Sequence, residues 1–271
     1  MIYAVMNYSF MQNAVIASVL AAVVCGIIGV IVVEKKLIMM SGGIAHTAYG
    51  GVGLGYLLGF EPILGALGFS VLAALGIGTI RRKGGAGIDV AVAIFWSLGM
   101  ALGIGFAGMA PGYMPDMTSY LFGNINYVTS TDVKMMLVLT AVVSAVVFIF
   151  FNDWKRYLFD SQFAGVRGMK TALFEYVLLV LVALSVVVLI RVAGIILVIA
   201  LLAVPAATAA LFTANLKARI FTAIGVGLVN VLGGLTVAFY TDIPAGATTV
   251  ILSALIYFVS FMFKKIFIKK P

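Results

Sequence analysis

Apolar residues in this chain gather into long segments that are separated by short polar connections. An α-helix needs about 20 apolar residues to cross the hydrocarbon core of a bilayer, and each segment has roughly that length. The pattern therefore predicts about nine transmembrane helices in an all-α, polytopic membrane helix bundle. The predicted segments lie at 14–33, 37–60, 63–80, 88–107, 133–151, 171–190, 192–214, 220–240 and 245–263.

The seventh segment makes the number of spans eight or nine. It follows the sixth almost without a connection and contains Pro205. Proline removes a backbone donor from a helix and clashes with the preceding turn. The segment 192–214 is therefore typical of a broken or half-length membrane helix.

Basic residues fall on alternate connections between the segments, which predicts the orientation of the chain. Cytoplasmic loops of membrane proteins carry the excess of lysine and arginine. We therefore expect the N-terminus outside and the C-terminus in the cytoplasm. All lysines and arginines except Lys134 and Arg191 lie on the side predicted to be cytoplasmic: Lys35, Lys36, Arg81, Arg82, Lys83, Lys155, Arg156, Arg167, Lys170, Lys217, Arg219, Lys264, Lys265, Lys269 and Lys270.

Composition agrees with a membrane protein and excludes soluble fold classes. Hydrophobic residues make up 64% of the chain and charged residues 10%, with a mean hydropathy of +1.23. Soluble domains carry roughly a quarter charged residues. Residues 1–271 are expected to form a single transmembrane domain in the cell membrane. The net charge of +8 is accounted for by topology, so it indicates no nucleic-acid partner.

The chain shows no nucleotide site of its own. The sequence contains no G-x-x-x-x-G-K-[ST] motif, in which backbone amides and a lysine hold phosphate. If the protein does energised work, ATP is hydrolysed in a partner subunit. We expect no covalent catalysis and no bound cofactor in this chain.

The only histidine, His46, lies in the glycine-rich second segment. Small residues around its ring predict a shallow notch that leaves the imidazole accessible. One interpretation is a packing histidine bonded to a neighbouring carbonyl. The other is a ligand for zinc, manganese or iron, because an ionisable residue inside a span is costly to keep. Its helical face is shared by Gly42, Gly43, Tyr49, Gly50 and Gly53.

A stripe of small residues lies beside this face. Thr47, Gly51, Gly55 and Gly59 recur at a spacing of four. This small-xxx-small pattern lets two helices approach closely in lipid. The stripe predicts that the second segment packs against a neighbouring helix.

Five stretches resemble the permeases of ABC importers for zinc, manganese and iron. The resemblance follows the family's order and covers nearly the whole chain. The helix containing P-A-A-T-A is its most specific part. The stretches are SGGIAHTAYGGVGLGYLLG at 41–59, SYLFGNI at 119–125, FDSQFAGVRGM at 159–169, VAGIILVIALLAVPAATAALFT at 192–213 and TDIPAGATTVILSALIYF at 241–258.

The resemblance implies a transition-metal site but also shows one departure. The family commonly has an aspartate four residues before the histidine, and here that position is Gly42. The resemblance implies His46 and Asp89 as metal ligands. Asp89 also fits a helix N-cap, a role that needs no metal. The missing carboxylate implies a different metal, a weaker transit site, or a cargo that is not a bare ion.

The cytoplasmic segment 157–170 resembles the family's coupling helix, which fits a groove on the ATPase subunit. An ordinary cytoplasmic loop is the alternative. The resemblance implies a homodimer served by a cytoplasmic ATP-binding cassette ATPase and an extracellular metal-binding protein. The residues expected to couple the permease to the ATPase are Phe159, Asp160, Phe163, Ala164, Gly165 and Gly168.

We therefore expect a permease that imports a divalent transition metal by alternating access. A permease for a metal chelate and an ion-coupled secondary transporter are the alternatives. The secondary transporter is disfavoured because carboxylates in the middle of the spans, which relay protons or sodium, are almost absent.

Overall fold

The chain is almost entirely helical in a computed structural model, which describes residues 2–84, 87–111, 117–123, 128–241 and 243–267. These residues form helices and no strand, which confirms the predicted all-α class. The helices are α1 (Ile2–Asn7), α2 (Ser9–Glu34), α3 (Ile38–Leu58), α4 (Pro62–Arg82), α5 (Ile88–Met109), α6 (Thr118–Phe122), α7 (Ser130–Ile149), α8 (Phe151–Phe159), α9 (Ser161–Val166), α10 (Thr171–Phe212), α11 (Leu216–Thr241) and α12 (Ala245–Phe267).

Each predicted apolar segment coincides with a long helix or with half of α10. Eight of these in the described part of the chain are long and apolar enough to cross a membrane. The ninth, α3, has 21 residues, but its glycines, tyrosines and single histidine lower its hydropathy. Residues 40–53 of α3 are all buried, so this helix presents little surface to lipid. The prediction of eight to nine spans is confirmed.

Helix α10 turns back on itself, and both of its ends lie at one end of the bundle. Near its start, Glu175 pairs with two arginines at the end of α4. Just after its last residue, the Thr213 carbonyl accepts two hydrogen bonds from Arg219. Arg219 also pairs with Glu34 at the end of α2. Because short turns join α2 to α3 and α3 to α4, the ends of α2 and α4 lie at the same end of the bundle.

The reversal in α10 occurs at Gly194. Its φ of 74° and ψ of 159° are not helical, and a φ of this sign is adopted readily by glycine. A methyl group at Gly194 would overlap the backbone of α6. The two halves, Thr171–Ile190 and Ala193–Phe212, each have 20 residues. The segment predicted as broken or half-length is therefore a complete span, with Pro205 inside the helix.

Candidate functional site

His46 lies in the middle of α3 and is enclosed by α5. Its imidazole stacks on the Trp96 ring, with 3.9 Å between the ring centroids and 14° between the planes. Its Nδ1 lies 3.3 Å from the Met100 Sδ. Trp96 and Met100 are four residues apart, so both side chains face α3 from successive turns of α5. The imidazole therefore meets an aromatic ring and a thioether, and only 8% of the residue is exposed.

Helix α5 fills the glycine-lined face around His46. A methyl group on Gly42 would lie 3.2 Å from the Trp96 ring, and one on Gly53 would overlap the backbone of Gly103. The prediction that this face leaves the imidazole accessible is wrong for this structure. The absent side chains admit a second helix at close range instead of leaving a notch.

Two residues of the neighbouring stripe, Gly51 and Gly55, pack against α4, whereas Thr47 contacts α5. A methyl group on Gly51 would overlap the backbone of Gly65, and one on Gly55 would lie 2.6 Å from the Pro62 Cα. Gly59 differs, because a methyl group there would meet nothing within 4 Å. With a φ of 73°, Gly59 ends α3 as its C-cap. The predicted packing role of Gly59 is therefore corrected to that of a helix terminator.

Asp89 does not lie beside His46. It is exposed in the first turn of α5, where a carboxylate is favourable to the helix dipole. Seven residues separate Asp89 from Trp96, which is about 10 Å along the helix axis. No group of three or more His, Cys, Asp or Glu side chains suited to a metal occurs among the described residues. The two predicted ligands stay separate candidates.

The predicted coupling segment 157–170 forms the end of α8, all of α9 and the turn after it. The Asp160 Oδ1 accepts hydrogen bonds of 2.9 Å from the backbone N–H groups of Gln162 and Phe163, and so caps α9. The N–H of Gly168 donates to the Gly165 carbonyl at 3.0 Å. Gly168 has a φ of 84°, which ends the helix and turns the chain toward α10.

Three large apolar side chains of this segment are exposed on the surface of the chain. Phe159 is 94% exposed, Phe163 58% and Val166 87%. Ala164, on the opposite side of α9, is buried. None of the three exposed residues belongs to a helix long enough to cross the membrane.

Helix α8 is anchored to the bundle by buried aromatic residues. The rings of Trp154 and Phe174 meet edge to face with 5.0 Å between centroids. The Lys35 Nζ lies 4.0 Å above the centre of the Tyr157 ring. Burial raises the pKa of Tyr157 to about 12. Burial, followed by the charge of Arg81, lowers the pKa of Lys35. The turn before α3 thus contacts α8 directly.

Sequence reasoning missed three residues at these sites. Glu175 accepts from Arg81 Nη1 at 3.0 Å and from Arg82 Nη1 at 3.1 Å, joining α4 to α10. Glu175 could have been found from the sequence, because it is a carboxylate near the start of an apolar segment, on the side where the basic residues lie. Trp96 and Met100 offered no such signal, because the pattern of α3 does not show which helix covers its glycines.

Comparison with known proteins agrees with the motifs. Uncharacterized membrane protein slr2045 of Synechocystis is 35% identical over 260 residues, covering 96% of this chain and 92% of that protein. Manganese transport system membrane protein MntC of Listeria monocytogenes is 34% identical over 258 residues, covering 95% and 92%. A chain of PsaBC from Streptococcus pneumoniae, solved in complex with Fab, matches with a TM-score of 0.87 at 32% identity, covering 96% and 94%.

These likenesses confirm the predicted permease of a metal ABC transporter and its place as a multi-pass protein of the plasma membrane. The permease is not itself catalytic, because ATP hydrolysis belongs to a separate subunit. The family match spans residues 7–264. The chain belongs to the ABC 3 transport family.

Proposed function

We propose that this chain imports a divalent transition metal (zinc, manganese or iron) into the cytoplasm by alternating access. The observation that carries the proposal is the exposed apolar surface formed by Phe159, at the end of α8, and by Phe163 and Val166 on the capped helix α9, both outside the spans. Apolar side chains exposed together mark a surface for a partner. A cytoplasmic ATPase covering this surface fits the predicted coupling segment.

The packing of α8 provides a route from this surface to His46. Trp154 and Tyr157 join α8 to the start of α10 through Phe174. Lys35 joins the same helix to the turn before α3. A partner that pushes on α9 would therefore move α8 together with the helix that carries the histidine. Alternating access needs such rigid elements, whose two arrangements a ligand can bias.

The exposed face of α5 supports a route for the metal beside a second copy of the chain. Small side chains on this face would allow two copies to approach while leaving a narrow passage. Asp89 lies at the end of this face that is predicted to be cytoplasmic, and His46 lies behind Trp96. An extracellular metal-binding protein would deliver the cargo at the opposite end. The exposed residues, at a spacing of four, are Asp89, Ala93, Ser97, Ala101 and Gly105.

Reconstitution with the ATPase and the metal-binding protein in liposomes tests this function. We expect ATP hydrolysis that is stimulated by metal and uptake of radioactive zinc, manganese or iron. Replacing Phe159 and Phe163 together with serine should weaken ATPase binding at least about tenfold without loss of helix content. The control is Phe10→Ser. Phe10 is 38% exposed near the start of α2, whereas α8 contacts Lys35, just after the end of α2.

Two results would contradict the proposal. Normal ATPase binding by the double serine variant would show that the segment is only a loop. Absence of uptake for all three metals, with the complex assembled, would remove the metal as cargo.

A further inference from the structure

His46 contacts a side chain that could act as a second metal ligand and that the proposed function does not use. The Met100 thioether lies 3.3 Å from the imidazole Nδ1, and it comes from a different helix. Sulfur is the soft partner in this pair, and imidazole is a borderline ligand. His46 is buried and Met100 is half-buried, so the two groups meet away from the exposed surface of the bundle.

Among the described residues, no group of three or more His, Cys, Asp or Glu side chains surrounds this pair. Position 42, one helical turn before His46, is glycine, and the Trp96 ring lies against it. The Thr47 hydroxyl donates toward the carbonyls of Gly43 and Phe95, at 2.7 and 2.9 Å. Manganese prefers carboxylate, carbonyl and water oxygens, whereas thioethers select ions such as Cu⁺. The donor set around His46 therefore favours softer ions.

The spacing of the two donors suits one cation between them. Bonds of about 2.0 Å to nitrogen and about 2.3 Å to sulfur, at a tetrahedral angle, hold the donors about 3.5 Å apart. The observed separation is 3.3 Å, so only a small movement is needed to admit an ion. The Trp96 ring is stacked on the imidazole, so an ion bound at Nδ1 would lie close to the indole.

We propose that His46 Nδ1 and Met100 Sδ form a transit site that ranks cations by softness. The site binds Cu⁺-class ions most strongly, Zn²⁺ next and Mn²⁺ least. This inference rests on the proposed function, in which the cargo meets His46, and it adds Met100 as the second ligand. It also explains what Gly42 would change: without the aspartate that the family commonly has at this position, the site loses its preference for a hard ion.

Tryptophan fluorescence provides a direct test, because the chain has two tryptophans. Trp154→Phe leaves Trp96, which stacks on His46, as the sole reporter. The purified full-length variant in lipid nanodiscs is titrated with Ag⁺ as the soft probe, with Zn²⁺ and with Mn²⁺. We expect quenching by Ag⁺ at the lowest concentration, and an affinity for Mn²⁺ lower by at least about tenfold.

Two methionine variants separate a ligand from a packing residue. Met100→Leu keeps the volume and removes the sulfur, so it should weaken the Ag⁺ response at least about tenfold and the Mn²⁺ response little. The control is Met40→Leu, at a buried methionine of α3, which should leave the Ag⁺ response unchanged. An Ag⁺ response that survives Met100→Leu would overturn the proposal and leave the contact as packing.

Uptake by the reconstituted importer distinguishes this inference from the proposed function. Preferential uptake of zinc over manganese, lost in Met100→Leu, supports both. Equal uptake of manganese and zinc, unaffected by Met100→Leu, overturns the softness ranking while the metal importer stands. Tight Ag⁺ binding, detected by Trp96 fluorescence, without uptake of any metal would support the site and contradict the function as an importer.

Discussion

The buried helix α3 and the coupling segment 157–170 both contain glycines, but these glycines have different structural roles. In α3, a methyl group on Gly51 or Gly53 would overlap the backbone of a neighbouring helix. In the coupling segment, a methyl group on Gly168 would meet nothing within 4 Å, and its φ is 84°. Glycine therefore brings helices together in the first region and turns the chain in the second.

Apolar side chains show the same contrast between the regions. Those at positions 40–53 of α3 are buried, while Phe159 is 94% exposed at the end of α8. Close backbone packing makes α3, α4 and α5 suited to move as one body, because a tightly packed interior does not deform gradually. The coupling segment instead offers a surface that another subunit can cover. In the proposed mechanism, the first region holds the cargo site and the second receives the force from the ATPase.

The largest effect is expected when the close packing of α3 is broken. Gly65→Ala places a methyl group against the Gly51 carbonyl, a backbone atom that cannot rotate away. Overpacking costs about 1–3 kcal/mol and occasionally more, and we expect the upper end here. The apparent melting temperature of the detergent-solubilised protein measures the loss.

Gly68→Ala is the matched control, on the same helix three residues later. A methyl group at Gly68 would meet nothing within 4 Å, so alanine should be neutral or stabilise by about 0.5–1 kcal/mol through helix propensity. Equal melting temperatures for both alanine variants would show that the α3–α4 contact is looser than the structure indicates.

The sequence alone predicted the spans, because they depend on a local pattern, whereas the coupling role of 157–170 stays a prediction from the resemblance. Apolar length identifies a membrane helix, and the motif at 159–169 lies in one continuous stretch. The surroundings of His46 could not be predicted, since Trp96 and Met100 lie about 50 residues further along the chain. Periodicity showed that one face of α3 is small, but not that α5 fills it. Pro205 and the short connection favour a broken or half-length helix at 192–214, whereas this segment is a complete span and the chain reverses at Gly194.

A smaller effect is expected from the ion pair that joins α10 to α4. Glu175 on α10 bridges Arg81 and Arg82 on α4 with its side chain 11% exposed. Glu175→Gln removes the charge and leaves two arginines together, which we expect to cost about 1–2 kcal/mol because the arginines are partly solvated. It should also lower the pKa of Lys35 further, since Glu175 raises it in the native protein.

ATP hydrolysis per metal ion transported checks this link. Glu175→Gln should raise the ratio, because motion of α8 and α10 is transmitted less well to α4 and α3. Asp153→Asn is the control, since Asp153 pairs with Arg156 three residues away on the exposed face of α8. A ratio unchanged in both variants would remove the Glu175 cluster from the coupling route.

The smallest effect is expected within the coupling segment itself, at the N-cap of α9. Asp160→Ala removes the carboxylate oxygen that accepts from the N–H groups of Gln162 and Phe163. Loss of an N-cap costs about 1 kcal/mol, and α9 has only 6 residues, so its first turn should open more often. Hydrogen exchange at those two amides should accelerate about fivefold, while the spans keep their protection. Asp160→Asn retains an acceptor oxygen and should exchange at the native rate.

Because Phe163 presents part of the apolar surface from this turn, Asp160→Ala should also weaken ATPase binding slightly and Asp160→Asn should not. Faster exchange with unchanged ATPase binding would show that the surface works without a preformed α9, and would make the contrast with the rigid α3 sharper.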